Sequence, residues 1–196
     1  MTTVASVPGE VAAYLDELVG AMASLAELDA VYLLGSAALG AYVPGSSDVD
    51  VVAVAAGSLS LGDREALARA AELVPCPATK LELVVYPRGS SKWQINLNTG
   101  DHVSYDTRDE PGFWFVVDRA IAERHAVPLV GPPWSESFEP VTRDALVAAL
   151  RESLDYVGPA NLVRALAFVE TGEWLSKPAA ESWFADRVRA ELEARP

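Results

Sequence analysis

Two aspartates, Asp48 and Asp50, stand either side of Val49 in the stretch VYLLGSAALGAYVPGSSDVDVVAVA, residues 31–55. In a strand, side chains two apart point to one face, so both carboxylates look the same way. Paired acids repel each other unless a cation lies between them, and oxygen ligands of this kind suit Mg²⁺. A divalent ion held between them would supply local positive charge of the kind that meets a phosphate. Gly35 and Ser36 close the preceding strand, where a residue without a side chain lets backbone N–H groups approach a phosphate. Farther along, Glu82 lies inside the apolar run KLELVVY, residues 80–86. Burying a carboxylate there is costly unless it is paired or beside a metal, the alternative being an exposed strand edge.

The elements that must position these residues follow from periodicity. Val11, Leu15, Leu18, Met22 and Leu25 recur at four- and three-residue intervals, which predicts an amphipathic helix with Asp16 and Glu17 outside. A strand over residues 30–34 leads into two helical turns over 36–42. Pro44-Gly45-Ser46-Ser47 is a turn by composition, and the second strand, 49–55, is apolar enough beyond Asp50 for burial on both faces. A helix over 63–73, with Leu67, Ala70, Ala71 and Leu73 inward, leads to a third strand over 80–86. Leu81, Leu83 and Val85 share one of its faces, and Glu82, Val84 and Tyr86 the other. Residues 93–97 alternate as a further strand, the polar stretch 98–113 reads as a loop, 114–124 as a helix and 127–133 as an extended segment. From Thr142 onward only helices are expected. Thr142 N-caps one that ends near Tyr156, with Leu146, Leu150 and Leu154 in line. A second spans 161–170, and Ser176 caps a third that runs through Trp183 and Val188. The change of character puts a domain boundary at about residues 132–140.

Composition narrows the partners. The 196 residues, 51% hydrophobic, can bury a core, and the net charge of −13 argues against broad nucleic-acid binding, which needs Lys and Arg against phosphates. A nucleotide is still admitted, because a metal supplies local positive charge. Acidity would steer a cationic small substrate inward, although it serves solubility as well. No apolar run reaches the roughly 18–20 residues of a membrane span. The N-terminus MTTVASVPGE lacks a basic start and an apolar signal core, so a cytoplasmic setting is expected. The single cysteine, Cys76, rules out an intrachain disulfide, and His102 and His125 lack the spacing of zinc ligands. Trp114, Trp174 and Trp183 read as packing residues.

Gly35-Ser36, eleven residues, Asp48-Val49-Asp50 and then an acid, Glu82, on a later strand together resemble the signature of the nucleotidyltransferase superfamily typified by DNA polymerase beta. LELVVY, WQINLNTG, FWFVVDRAIAERHAVPLVGPP and TGEWLSKPAAESWF further resemble the bacterial aminoglycoside nucleotidyltransferases, the streptomycin/spectinomycin adenylyltransferases. That similarity runs from about Leu28 to Val188. The resemblance implies an α+β fold, with a mixed β-sheet nucleotidyltransferase domain and flanking helices over residues 1–135, then a small C-terminal helical domain over 136–196. It implies Mg²⁺-dependent transfer of AMP from ATP to a hydroxyl of a small molecule, as in antibiotic resistance. Asp48 and Asp50 are then metal ligands, Glu82 lies beside the metals as candidate general base, and Gly35 and Ser36 hold the β/γ-phosphates. Asp118 corresponds to an acid facing the nucleotide, or is a helix-surface aspartate. Lys177 corresponds to a lysine reaching the triphosphate from the helical domain, or faces solvent. Ser47 assists the phosphates or serves its turn.

The resemblance is weaker on the acceptor side. The family's acidic, tryptophan-containing loop between the first two helices of the helical domain is matched here by Tyr156-Val157-Gly158-Pro159-Ala160, with no acid after Asp155. With the chain ending at Pro196, the helical domain is expected to be shortened. An aminoglycoside-like acceptor is thus a family expectation. The alternatives are a protein or RNA target, as in toxin–antitoxin nucleotidyltransferases, or a non-catalytic nucleotide-binding remnant. Monomer and homodimer both stay open.

Overall fold

The computed structural model describes residues 7–156 and 158–194, so the first residues of MTTVASVPGE and Val157 of the 156–160 connection lie outside it. Two compact units are present, Met1–Pro111 with Ala122–Pro140, and Gly112–Ile121 with Val141–Pro196. The segment 112–121 therefore groups with the C-terminal helices.

The first unit is built on a six-stranded sheet in the order β5-β4-β3-β2-β1-β6. Its strands are β1 (Leu28–Leu33), β2 (Val49–Ala55), β3 (Leu81–Pro87), β4 (Ile95–Asn98), β5 (His102–Ser104) and β6 (Val127–Val130). β2 and β3 pair in parallel, and every other pairing is antiparallel. A parallel pair cannot be closed by a tight turn and needs a crossover, here helix α3 (Leu61–Leu73). Val31, Leu33, Val49, Val51, Ala53, Leu81, Leu83 and Val85 form one buried face, packed with Val11, Leu15, Leu18 and Met22 of helix α1 (Gly9–Ala23) and Leu67 and Ala71 of α3. Each fully buried aliphatic side chain here contributes about 1.5–3 kcal/mol.

Several expectations need correction at element ends. Leu25 lies past the end of α1 and is exposed, and Leu73 is 76% exposed on the last turn of α3. Ala68 takes the inward position expected of Ala70 and Leu73. The helix after Gly35, α2 (Gly35–Ala38), is one turn rather than two. β5 lies inside the stretch read as a loop, and a one-turn helix, α5 (Trp134–Ser137), follows Pro132 and Pro133. Such short elements carry too few residues to show a period.

The second unit holds the start of α4 (Phe113–His125), then α6 (Arg143–Glu152) with a 3-10 turn at Ser153–Asp155, α7 (Pro159–Thr171) and α8 (Lys177–Glu193). Phe113, Val117, Leu146, Ala149, Leu150, Ala165 and Trp174 form its core. α6 ends at Glu152 rather than Tyr156, which leaves Leu154 exposed. Thr142 caps α6 as expected, its Oγ1 accepting the Ala145 N–H at 3.2 Å. Thr142→Ala is therefore expected to cost about 1 kcal/mol, read as a lower denaturation midpoint, and an unchanged midpoint would refute the cap's contribution. Among the described residues no helix is long and apolar enough to cross a membrane.

Candidate active site

Alternation divides the sheet's residues between two faces. The helix-packed face takes the aliphatic set, and the other carries Tyr32, Asp50, Glu82, Tyr86, Asn96 and Asn98. At one end of this second face Trp134 stands edge-on to Tyr32, and Phe138 edge-on to Tyr86, with ring centroids 5.0 and 5.1 Å apart. The Tyr32 hydroxyl hydrogen-bonds to the Pro132 carbonyl at 2.9 Å and the Ser137 hydroxyl at 2.7 Å, which fastens this aromatic cover. Asp50 and Glu82 lie toward the other end, where β1 finishes and β2 and β3 begin, and both are half-buried.

Register aligns the polar residues. Asp50 is opposite Glu82, Glu82 opposite Asn98 and Asn98 opposite His102, so a polar row crosses four strands at one level. Neighbouring strands lie about 4.8 Å apart, which brings the Asp50 and Glu82 side chains within reach of a shared ligand. Asp48 precedes β2 by one residue.

Gly35 meets this row directly. The Leu34 N–H donates to the Asp50 carbonyl at 2.8 Å, fixing the end of β1 against the start of β2. Gly35 has φ +62°, and a Cβ there would lie 1.8 Å from Asp50 Oδ2. Only glycine leaves room for that carboxylate, a reason beyond the phosphate approach expected from sequence. Ser36 follows, half-buried, in the single turn of α2.

Ser47 serves its turn. Its hydroxyl oxygen accepts the Val43 N–H at 2.9 Å, and its carbonyl accepts both the N–H and the hydroxyl of Thr79 at 3.1 and 2.9 Å. These bonds hold Asp48 at the mouth of β2. Asp118 and Lys177 belong to the second unit. Asp118 is exposed on α4, and Lys177 is the exposed first residue of α8, whose Ala179 N–H is capped by the Ser176 hydroxyl at 3.3 Å.

Sequence reasoning passed over Lys80. Its Nζ lies 2.7 Å from Glu82 Oε1 and donates to Asn98 Oδ1 at 3.1 Å. Burial works against the ammonium, but the Glu82 hydrogen bond and the charges of Glu82, Asp48 and Asp101 outweigh it and raise its pKa. The signal was present, since residues 80 and 82 of one strand share a face. Among the described residues no group of three or more His, Cys, Asp or Glu is gathered closely enough to hold an ion. Glu82 is turned to Lys80.

Residues 15–111 match the family described as nucleotidyltransferase domain. No curated protein sequence matches the chain. Among solved structures, spectinomycin adenyltransferase AAD(9) from Enterococcus faecialis, crystallised with ATP and spectinomycin, is similar at a TM-score of 0.73 and 14% identity. The likeness covers 90% of this chain and 83% of that one, and at such identity it is a likeness of fold. With the family match over this stretch and Gly35, Asp50 and Glu82 brought together within it, residues 15–111 form a nucleotidyltransferase domain.

Proposed function

We propose that the protein transfers AMP from ATP to a hydroxyl of a small, cationic, aminoglycoside-like molecule, with Mg²⁺ as the metal. The observation that carries this reading is the Asp50 carboxylate lying against Gly35 and level with Glu82 across the β2–β3 pair. By donor chemistry the residues fit a hard cation, since all three offer carboxylate oxygens. Asp48 and Asp50 would hold it with Glu82, and when bound it would neutralise charge on the phosphoryl oxygens.

The remaining work falls to the chain. Glu82 takes the proton of the acceptor hydroxyl. The oxygen then forms a bond to the α-phosphorus, and the bond from that phosphorus to the bridging oxygen breaks, its electron pair leaving with pyrophosphate. Backbone N–H groups at Gly35 and Ser36, with the Ser36 hydroxyl, hold the β/γ-phosphates. Ser47 keeps its O–H proton to donate to a phosphate while its oxygen accepts from Val43. Lys177 is assigned to the triphosphate and Asp118 to the nucleotide side. The net charge of −13 supports a cationic acceptor, and so does the spectinomycin held by the structural neighbour. A cytoplasmic setting, with ready ATP, suits this chemistry.

Labelled ATP incubated with a panel of aminoglycosides and spectinomycin tests the reading. Label is expected on one of these molecules, with release of pyrophosphate. Label on a protein or tRNA instead would overturn the acceptor class, and tight ATP binding with no transfer would overturn the reaction.

A further inference from the structure

Lys80 enters β3 just ahead of Glu82, and its carbonyl accepts the N–H of Val49 at 3.0 Å. Its backbone is thus fixed beside the residue between the two aspartates. The side chain is held at two further points, 2.7 Å from Glu82 Oε1 and 3.1 Å from Asn98 Oδ1, and is 29% exposed. The ammonium sits in the combined field of Asp48, Glu82 and Asp101. A cation that binds Asp48 and Asp50 and calls on Glu82 as a third ligand must compete with a cation already attached to this strand. The lack of a three-carboxylate group among the described residues agrees with Glu82 being engaged elsewhere.

We infer that Lys80 is a positioning residue, an internal counter-ion that holds Glu82 and sets the affinity of the carboxylate site for a divalent ion. Held by Lys80, Glu82 and Asp48 coexist without an added metal, because the ammonium offsets their mutual repulsion. Recruitment of Glu82 as ligand or base then requires exchange of the lysine for the divalent ion. The nucleotide-free site is weakened toward metal as a result, and loading is coupled to the metal that arrives with the triphosphate. The inference rests on reading Asp48, Asp50 and Glu82 as a divalent-ion site.

Mn²⁺ binding to the nucleotide-free protein, followed by water-proton relaxation or electron paramagnetic resonance, tests it without any turnover. Lys80→Met removes one positive charge a few ångströms from the ion and is expected to tighten Mn²⁺ binding about tenfold. Lys80→Arg, which keeps the charge, is expected to stay within about twofold of the parent. In an Asp50→Asn background, Lys80→Met is expected to gain little, because the ion has lost its principal ligand. Equal Mn²⁺ affinity in the parent and a folded Lys80→Met protein, checked by circular dichroism, would overturn the inference. If Lys80→Met does not fold, Asn98→Ala, which loosens the ammonium from its second anchor, is expected to tighten Mn²⁺ in the same direction, and no change there overturns the inference. Failure of every variant to bind Mn²⁺ would overturn it together with the divalent-site reading. A parent that binds Mn²⁺ with Lys80→Met unchanged would overturn the lysine's role alone.

Discussion

Asp50→Asn is expected to lower kcat/KM for nucleotidyl transfer by on the order of a thousandfold, with little change in the thermal midpoint. Asparagine has the shape of aspartate, so it still fits over Gly35, and the backbone bond from Leu34 N–H to the residue-50 carbonyl persists. What changes is charge, together with one oxygen acceptor that becomes an N–H₂ donor. A divalent ion is thereby left with a weaker ligand set. Stability is largely spared for the same reason: the side chain keeps its shape and the register of β2 on β3 is untouched. Calorimetry is expected to show Mg·ATP affinity much reduced, with metal-free ATP binding little altered. A variant that keeps more than a tenth of the parent's activity would sink the assignment of Asp50 as metal ligand.

The second large effect is expected at Gly35. Alanine there meets two separate penalties. At φ +62° an L side chain is disfavoured by roughly 1–2 kcal/mol, and its Cβ would fall 1.8 Å from Asp50 Oδ2, 2.4 Å from Cγ and 3.0 Å from Cβ. The whole Asp50 side chain must move, since a turn of the carboxylate does not clear a contact that reaches back to its own Cβ. Gly35→Ala is expected to cost about 3 kcal/mol, a fall of roughly 6–12 °C in the midpoint for a chain of this size. It should also remove activity to the extent that Asp50→Asn does, because both changes take the same carboxylate away. A double-mutant cycle separates the penalties: in an Asp50→Ala background, Gly35→Ala should lose the carboxylate clash and keep the backbone cost with only the 3.0 Å contact to the residue-50 Cβ. Equal destabilisation in both backgrounds would show that the Asp50 contact contributes nothing.

The central strands were legible because each carries a pattern that survives without its neighbours. The alternation in KLELVVY separates Leu81, Leu83 and Val85 from Glu82, Val84 and Tyr86, and the sheet sorts them that way. Thr142 and its helix were legible for the same reason, since a cap is a local bond. β5 was not, because three residues within a polar loop are held by pairing with β4 and by no propensity of their own. Burial of Ala68 rather than Leu73 follows from where α3 runs out over the sheet, and a helical period alone cannot locate that point. At the site, residue types and spacing named Gly35, Asp48, Asp50 and Glu82. The Gly35–Asp50 contact needs the antiparallel register of β1 on β2, and the Lys80–Glu82 pair needs a rotamer choice. The first is a tertiary fact, outside the reach of a linear pattern, while the second was open to the two-residue spacing and was passed over.

The parallel pairing of β2 with β3 also bears on how the protein reaches this state. Asp50 and Glu82 become neighbours only after everything from Ala56 to Lys80 has been emitted, folded into α3 and laid across the sheet. Hairpin zipping, which can bring β3 to β4 locally, cannot join these two acids, and the chain must close a long loop first. The pair is therefore expected to assemble late, after the local β3–β4 pairing. A one-residue slip in that closing step would turn Glu82 toward the helices instead of toward Asp50. Refolding should accordingly recover secondary structure before it recovers the ability to bind a divalent ion.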